Sequence, residues 1–280
     1  IQSHQFTFFV GQEGKAIVVH AAAISATSQQ LDALINGGME ESETRCARLE
    51  DVQVDDFIRF CEYAYRGDYT VPPWEHLPPE ASSEPEKNQQ SGSEADPAPE
   101  PDIEPIEPVE IPEARYEVTP TRTLSRTTLR AQFNGRKYLG GDGPKALMLE
   151  QFEPKSNSGA DQNFTPVFLA HARLYCFAYI RLIAPLKALT LDKLHRTLMG
   201  FKLYTKRVGD IIELVRYVYS NPDLPDRSDN GQIDGLKNLV VEYIVCEIDW
   251  IGRRDEFLKY MEEGGEFVGD FWRLARDYIS

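Results

Sequence analysis

The alternation of apolar and polar positions is sharpest near the start of the chain. Phe6 to Val10 and Ala16 to Val19 are short runs of β-branched or aromatic residues. Gly11-Gln12-Glu13-Gly14 between them has the composition of a hairpin turn, so the two runs predict paired strands. The apolar period then lengthens. Ile24, Leu31, Leu34 and Ile35 fall on one helix face, Ser28 is placed to cap its second half, and Gly37 and Gly38 end it. Arg45 to Leu49 predicts a short strand. A further helix starts at Asp55 or Asp56 with Phe57, Phe60, Cys61 and Ala64 on one side, and Gly67 follows its last turn.

The pattern vanishes from about 73 to 113. This stretch holds ten of the chain's eighteen prolines and almost no large apolar residue, too little to offset the entropy of ordering a backbone. It predicts a disordered acidic linker with extended, polyproline-like stretches such as Pro97-Ala-Pro99-Glu-Pro101. A spacer held open by charge repulsion is the main reading, and a docking peptide for a basic groove is the other.

Residues 114–162 give mixed signals. Arg122, Arg126, Arg130, Arg136 and Lys137 form a basic cluster, read as a solvated strip or one neutralised by the acidic linker rather than as a nucleic-acid patch. Arg122-Thr-Leu-Ser125 has a spacing that some kinases use. Asn134-Gly135 and Gly140-Gly141-Asp142-Gly143 are turn signals, and the second lacks the Lys-Ser/Thr pair of a phosphate loop.

From Thr165 the helical period returns. Leu174, Ala178 and Leu182 share one spacing, with Pro185 expected to end or kink the element. Leu191, Leu194, Leu198 and Phe201 form a second stripe, and Val208, Ile211, Ile212, Val215 and Val218 a third. A polar loop runs from Asn221 to Gly231. Leu236, Leu239, Val240, Tyr243 and Ile244 predict a fourth helix, Phe257, Leu258 and Met261 a short one, and Phe267, Phe271, Leu274 and Tyr278 the last. Short connections between such helices imply a bundle or solenoid-like packing.

Composition refines this picture. A chain of 280 residues accommodates one or two domains. The net charge is −15, but twelve acids against the one base Lys87 lie between Glu75 and Glu113, so the remainder is close to neutral. No Lys and Arg field suited to a phosphate backbone is present. Cys46, Cys61, Cys176 and Cys246 are far apart, which predicts free thiols in a reducing, intracellular compartment, cytoplasmic or nuclear. No apolar run approaches the roughly 20 residues that span a bilayer. Ile1-Gln2-Ser3-His4 has neither the basic start nor the apolar middle of a signal peptide, and a first residue other than Met is expected of a fragment.

Candidate chemistry is sparse. No nucleophile elbow, HExxH motif, phosphate loop or dinucleotide fingerprint occurs, so no catalytic residue, cofactor or metal is assigned and an enzyme is not expected. His20 has no His or Cys at ligand spacing and is expected to be a core histidine bonded to backbone. His171, His195 and Cys176 form no recognisable ligand set. Glu262-Glu263 ends a polar helix face.

Taken in order, Phe6-Thr-Phe-Phe-Val10, Val19-His20, Ser28, Leu31, Leu34, Asn36-Gly-Gly-Met-Glu-Glu-Ser42, Leu49-Glu-Asp-Val52, Phe57 and Tyr63-Ala-Tyr-Arg-Gly-Asp-Tyr69 resemble a BTB/POZ domain. His20, Gly37, Gly67 and Tyr69 carry its structural signature. His171-Ala-Arg-Leu-Tyr175, Leu186-Lys-Ala-Leu189, Lys193-Leu194 and Leu214-Val-Arg-Tyr-Val-Tyr219 look like the helical tail that follows this domain in many fungal proteins. The resemblance implies an α+β BTB/POZ fold, a small sheet with helices, at 1–72. A disordered linker and a poorly ordered basic segment follow at 73–162, then an all-α region at 163–280. It also implies a non-enzymatic scaffold or adaptor that binds proteins, itself among them, with the tail as a second platform whose reach the linker sets. Met39-Glu40-Glu41 stands where several relatives carry an apolar-x-Glu motif that docks a cullin scaffold of ubiquitin ligases, and Tyr63 or Tyr65 could join a binding surface. A transcription-associated role is the remaining expectation. Two positions depart from the family. Ala21 replaces the basic residue that usually follows the histidine, and Ser3-His4-Gln5 lacks the usual aspartate. Both groups belong to a charged pocket at the family's dimer interface, so dimerisation of the usual kind is left open.

Overall fold

Alternate burial along the first strand sets the N-terminal architecture. Phe6, Phe8 and Val10 are buried while Thr7 and Phe9 between them are half-buried. This computed structural model describes residues 2–76, 126–136, 152–154, 156–228 and 230–278. Most of the acidic proline-rich segment, Arg122 to Ser125, Lys137 and Gly140 to Gly143 lie outside these residues.

Strand β1 (Gln5–Val10) pairs antiparallel with β2 (Lys15–His20), placing Phe6 opposite Val19 and Phe8 opposite Ile17. Gly11 and Gly14 make the turn at φ 74° and 64°, a region L side chains avoid. Helices α1 (Ala21–Ser25), α2 (Gln29–Asn36) and α3 (Glu40–Thr44) cross to β3 (Cys46–Leu49), which lies parallel to β1 in a sheet of order β2-β1-β3. Helix α4 (Val54–Arg66) ends at Gly67, at φ 76°.

The expected single face from Ile24 to Ile35 is divided between two helices. Thr27 Oγ1 donates to the Ile24 carbonyl and Ser28 is extended, so the chain breaks before Ser28 caps α2 by accepting from the Leu31 N–H. Arg45 is not a strand residue. It sits in the left-handed region at φ 54° and closes α3.

The remaining described chain is mostly helical. After β4 (Glu75–His76) come α5 (Arg126–Asn134) and β5 (Gln162–Asn163), which pairs with β4. Then follow α6 (Thr165–Ile180), α7 (Ala184–Gly200), a short 3-10 turn (Thr205–Arg207), α8 (Val208–Ser220) and α9 (Gly235–Cys246). The chain closes with α10 (Ile248–Ile251), α11 (Asp255–Glu263) and α12 (Glu266–Ala275). Helices α6 and α9 are apolar nearly all round because they are central.

Three further expectations need correction. Leu182 does not continue the stripe of Leu174 and Ala178. It occupies a left-handed turn at φ 55° and is 74% exposed, and Pro185 opens α7 instead of ending α6. The basic segment contains helix α5, whose Leu129 and Phe133 are buried in the helical core. The N-terminal module and the helical tail are not platforms held apart by a spacer. Phe6, Phe8, Phe57 and Phe60 share one apolar cluster with Leu174, Phe177, Ile183 and Leu186, and Ile1–Leu77 and Leu124–Ser280 form one compact unit.

Candidate protein interface

Gly37 and Gly38 stop α2 and swing the chain into the short α3, which projects Met39 into solvent. Met39 is 57% exposed at the N-cap position, and its carbonyl accepts from the Ser42 hydroxyl at 2.7 Å. Glu40 is exposed beside it and Glu41 is half-buried. An unburied thioether next to two carboxylates can offer an apolar anchor with an acidic flank.

The end of α4 supplies the second candidate surface. Tyr63 packs half-buried against the module's core, and burial raises its hydroxyl pKa. Tyr65 points outward, as the two-residue spacing predicts. Its hydroxyl accepts from the His20 backbone N–H at 2.8 Å and lies 3.0 Å from His20 Nδ1. His20 is therefore a half-exposed residue whose ring meets a side chain, not a core histidine bonded to backbone. This pair sits near the outer edge of the sheet, where Val18 is also exposed. Met39 and its two carboxylates lie on α3, and Tyr65 lies on α4.

Tyr69 serves the interior. It is fully buried, and its hydroxyl bonds His171 Nδ1 of α6 at 2.6 Å. Burial first, then the Asp68 charge, raises the Tyr69 hydroxyl pKa far above its ordinary value. Burial first, then the Lys193 charge, lowers that of His171 to about 3, so the ring is neutral. Lys193 of α7, also fully buried, ion-pairs with Asp68 and donates to the Tyr69 carbonyl at 2.7 Å. A third tie joins Arg173 Nε to Asp56 at 2.5 Å. Burial nevertheless raises the Asp56 pKa, with Arg173 and Arg59 acting in the opposite direction.

These ties escaped the sequence reading. Asp56 and Arg173 are 117 residues apart, and Tyr69 and His171 are 102 apart. One local signal existed: Lys193 falls on the same stripe as Leu186 and Leu189, where a lone charge requires a buried partner.

Arg126, Arg130 and Arg136 are held by Asp249, Glu247 and Glu242 of the helical region. The expected neutralisation occurs, but by these carboxylates. The four cysteines are unpaired, and Cys61 and Cys176 have pKa values pushed up to about 12, chiefly by burial. Among the described residues no group of His, Cys, Asp or Glu is arranged to hold a metal ion, and no helix is long and apolar enough to cross a membrane.

The order of strands and helices through Gly67 and Tyr69 agrees with the comparison to known families. Residues 3–79 match the BTB/POZ domain. The N-terminal segment thus has the BTB/POZ fold, a protein–protein interaction module, followed by an all-helical C-terminal region. A search of the curated proteins found no match. In this chain the BTB/POZ domain presents Met39 and Tyr65 to solvent while Tyr69 is turned toward the helical region.

Proposed function

We propose that this chain is a non-enzymatic adaptor or scaffold, of the kind found in fungi with a helical tail. It works inside the cell, in the cytoplasm or nucleus, by binding other proteins and in some states itself. The observation that carries the reading is the division of the BTB/POZ domain into an inward face, spent on the helical region through Phe57, Phe60 and Tyr69, and an outward one. Outside the inward face, Met39, Glu40 and Tyr65 are exposed and Glu41 is half-buried. Neither nucleic acid nor a membrane belongs to this reading, since Arg126, Arg130 and Arg136 are each committed to a carboxylate. Affinity purification with wild type and with a Met39→Asp/Tyr65→Ala variant tests it. Loss of a defined set of partners is the expected result, and an unchanged set overturns it.

A second reading, substrate adaptor of a cullin-based ubiquitin ligase, is favoured by the exposed Met39 directly before Glu40 and Glu41. Pull-down with a cullin N-terminal domain decides it. Wild type is expected to bind and Met39→Asp to lose binding; equal, weak capture of both ends this reading. A transcription-associated role would act through the same contacts. Size exclusion with light scattering reads self-association.

A further inference from the structure

Helix α5 rests in a groove that has the parts of a peptide receptor. Two apolar anchors one helical turn apart, Leu129 and Phe133, are only 3% and 1% exposed. The Phe133 ring meets His195 edge-on at 4.6 Å and Tyr243 at 6.1 Å. His195 Nε2 donates to the Phe133 carbonyl in the last turn of α5, which also accepts from the Arg136 N–H at 3.3 Å. An acidic rim of Glu242, Glu247 and Asp249 receives Arg136, Arg130 and Arg126. Glu242 is 6% exposed, and its Oε2 has no hydrogen-bond partner among the described residues. The groove thus holds a helix by two buried apolar anchors, as amphipathic helices are held, and adds a histidine at its last turn and three carboxylates.

The occupant is short. It runs from Arg126 to Asn134, bounded by residues 77–125 on one side and 137–151 on the other, all outside the described residues. A helix of this length is marginal by itself and depends on the groove for its stability.

We propose that this groove is a receptor for a basic amphipathic helix of a partner protein, and that α5 fills it in cis as a competitor. The partner helix carries two apolar anchors four residues apart and arginines on the flanking face. A resident segment lowers the apparent affinity of a partner by the fraction of time the groove is open. Weakening α5 therefore raises affinity for a helix supplied in trans.

The test uses the full chain and a fluorescein-labelled synthetic peptide of residues 124–137. Anisotropy is measured for wild type and for Leu129→Asp/Phe133→Asp. The variant is expected to bind at least about tenfold more tightly than wild type. Adding Glu247→Lys/Asp249→Lys to it is expected to remove the binding. Arg126→Glu/Arg130→Glu keeps both anchors and serves as a second variant, with circular dichroism verifying the fold of each. The proposal is overturned if neither loosened chain binds more tightly than wild type, or if the rim reversal leaves binding unchanged. It is also overturned if light scattering shows wild type dimerising through exchange of α5, a dimer lost in Leu129→Asp/Phe133→Asp.

Discussion

Lys193 and Asp68 form an ion pair in which the lysine is completely enclosed and the aspartate is 5% exposed. The pair joins the end of the BTB/POZ domain's last helix to the middle of α7. Asp68 also accepts from the Tyr69 N–H at 2.6 Å through Oδ1, while its Oδ2 has no hydrogen-bond partner among the described residues. Burial lowers the Lys193 pKa, with the Asp68 contact opposing that shift. Truncating one partner strands the other charge in a medium that cannot solvate it. Lys193→Ala is expected to cost about 3–5 kcal/mol in urea unfolding. Lys193→Met/Asp68→Asn, which removes both charges, is expected to recover most of that loss. A double variant as unstable as the single one contradicts the account.

Phe177 places the same joint under an apolar test. Its ring lies 4.8 Å from Phe60 and 6.5 Å from Phe57, centroid to centroid. Phe177→Ala is expected to cost about 3–5 kcal/mol, from lost transfer energy and the cavity left behind. Since both parts share that cluster, calorimetry is expected to give one transition for wild type. Two resolved transitions would show that the domain and the tail melt independently.

Acid sensitivity follows from His171. Its pKa is about 3 in the folded chain against an ordinary 6.5, so the unfolded chain takes up the proton first. The stabilisation is fully present above about pH 6.5 and is lost as pH falls toward 3, by about 1.4 kcal/mol per pH unit. Asp56, Asp210 and Glu242, raised by burial, contribute slopes of the opposite sign. The comparison with His171→Gln isolates the histidine. Between pH 7.5 and 5.5, wild type is expected to lose about 1 kcal/mol more than that variant. Parallel curves would exclude the assignment.

Leu182 offers a gain in stability. The Ile183 N–H donates to the Ala178 carbonyl at 2.8 Å and the Leu182 N–H to that of Tyr179 at 3.2 Å, a helix stop that normally uses glycine at the position of Leu182. Leu182→Gly is expected to raise stability by about 0.5–1 kcal/mol, read as a higher melting temperature. An unchanged or lowered value would mean that the exposed leucine makes stabilising contacts.

Much of the fold could be read along the chain because it is written locally. The Phe6–Phe8–Val10 alternation, the Ser28 cap, the Gly67 stop and the apolar stripes of α8 and α12 all act over a few residues. Helix α5 was hidden because its two buried residues are spread among arginines whose carboxylates lie more than a hundred residues away. The joint between domain and tail was hidden for a related reason. Phe57 and Phe60 look like the inner face of a small domain whether or not Phe177 covers them. Of the candidate interface, the exposure of one tyrosine from the Tyr63–Tyr65 pair followed from spacing. The link between Tyr65 and His20 did not, since it needs the turn of the chain between β2 and α4.

That link makes Tyr65 hard to engage unobserved. Any partner that draws the phenol away must leave the His20 ring without its neighbour, 3.0 Å distant at Nδ1. The imidazole resonances of His20 are thus a built-in spectroscopic reporter, able to register binding at the domain's outer rim without a label.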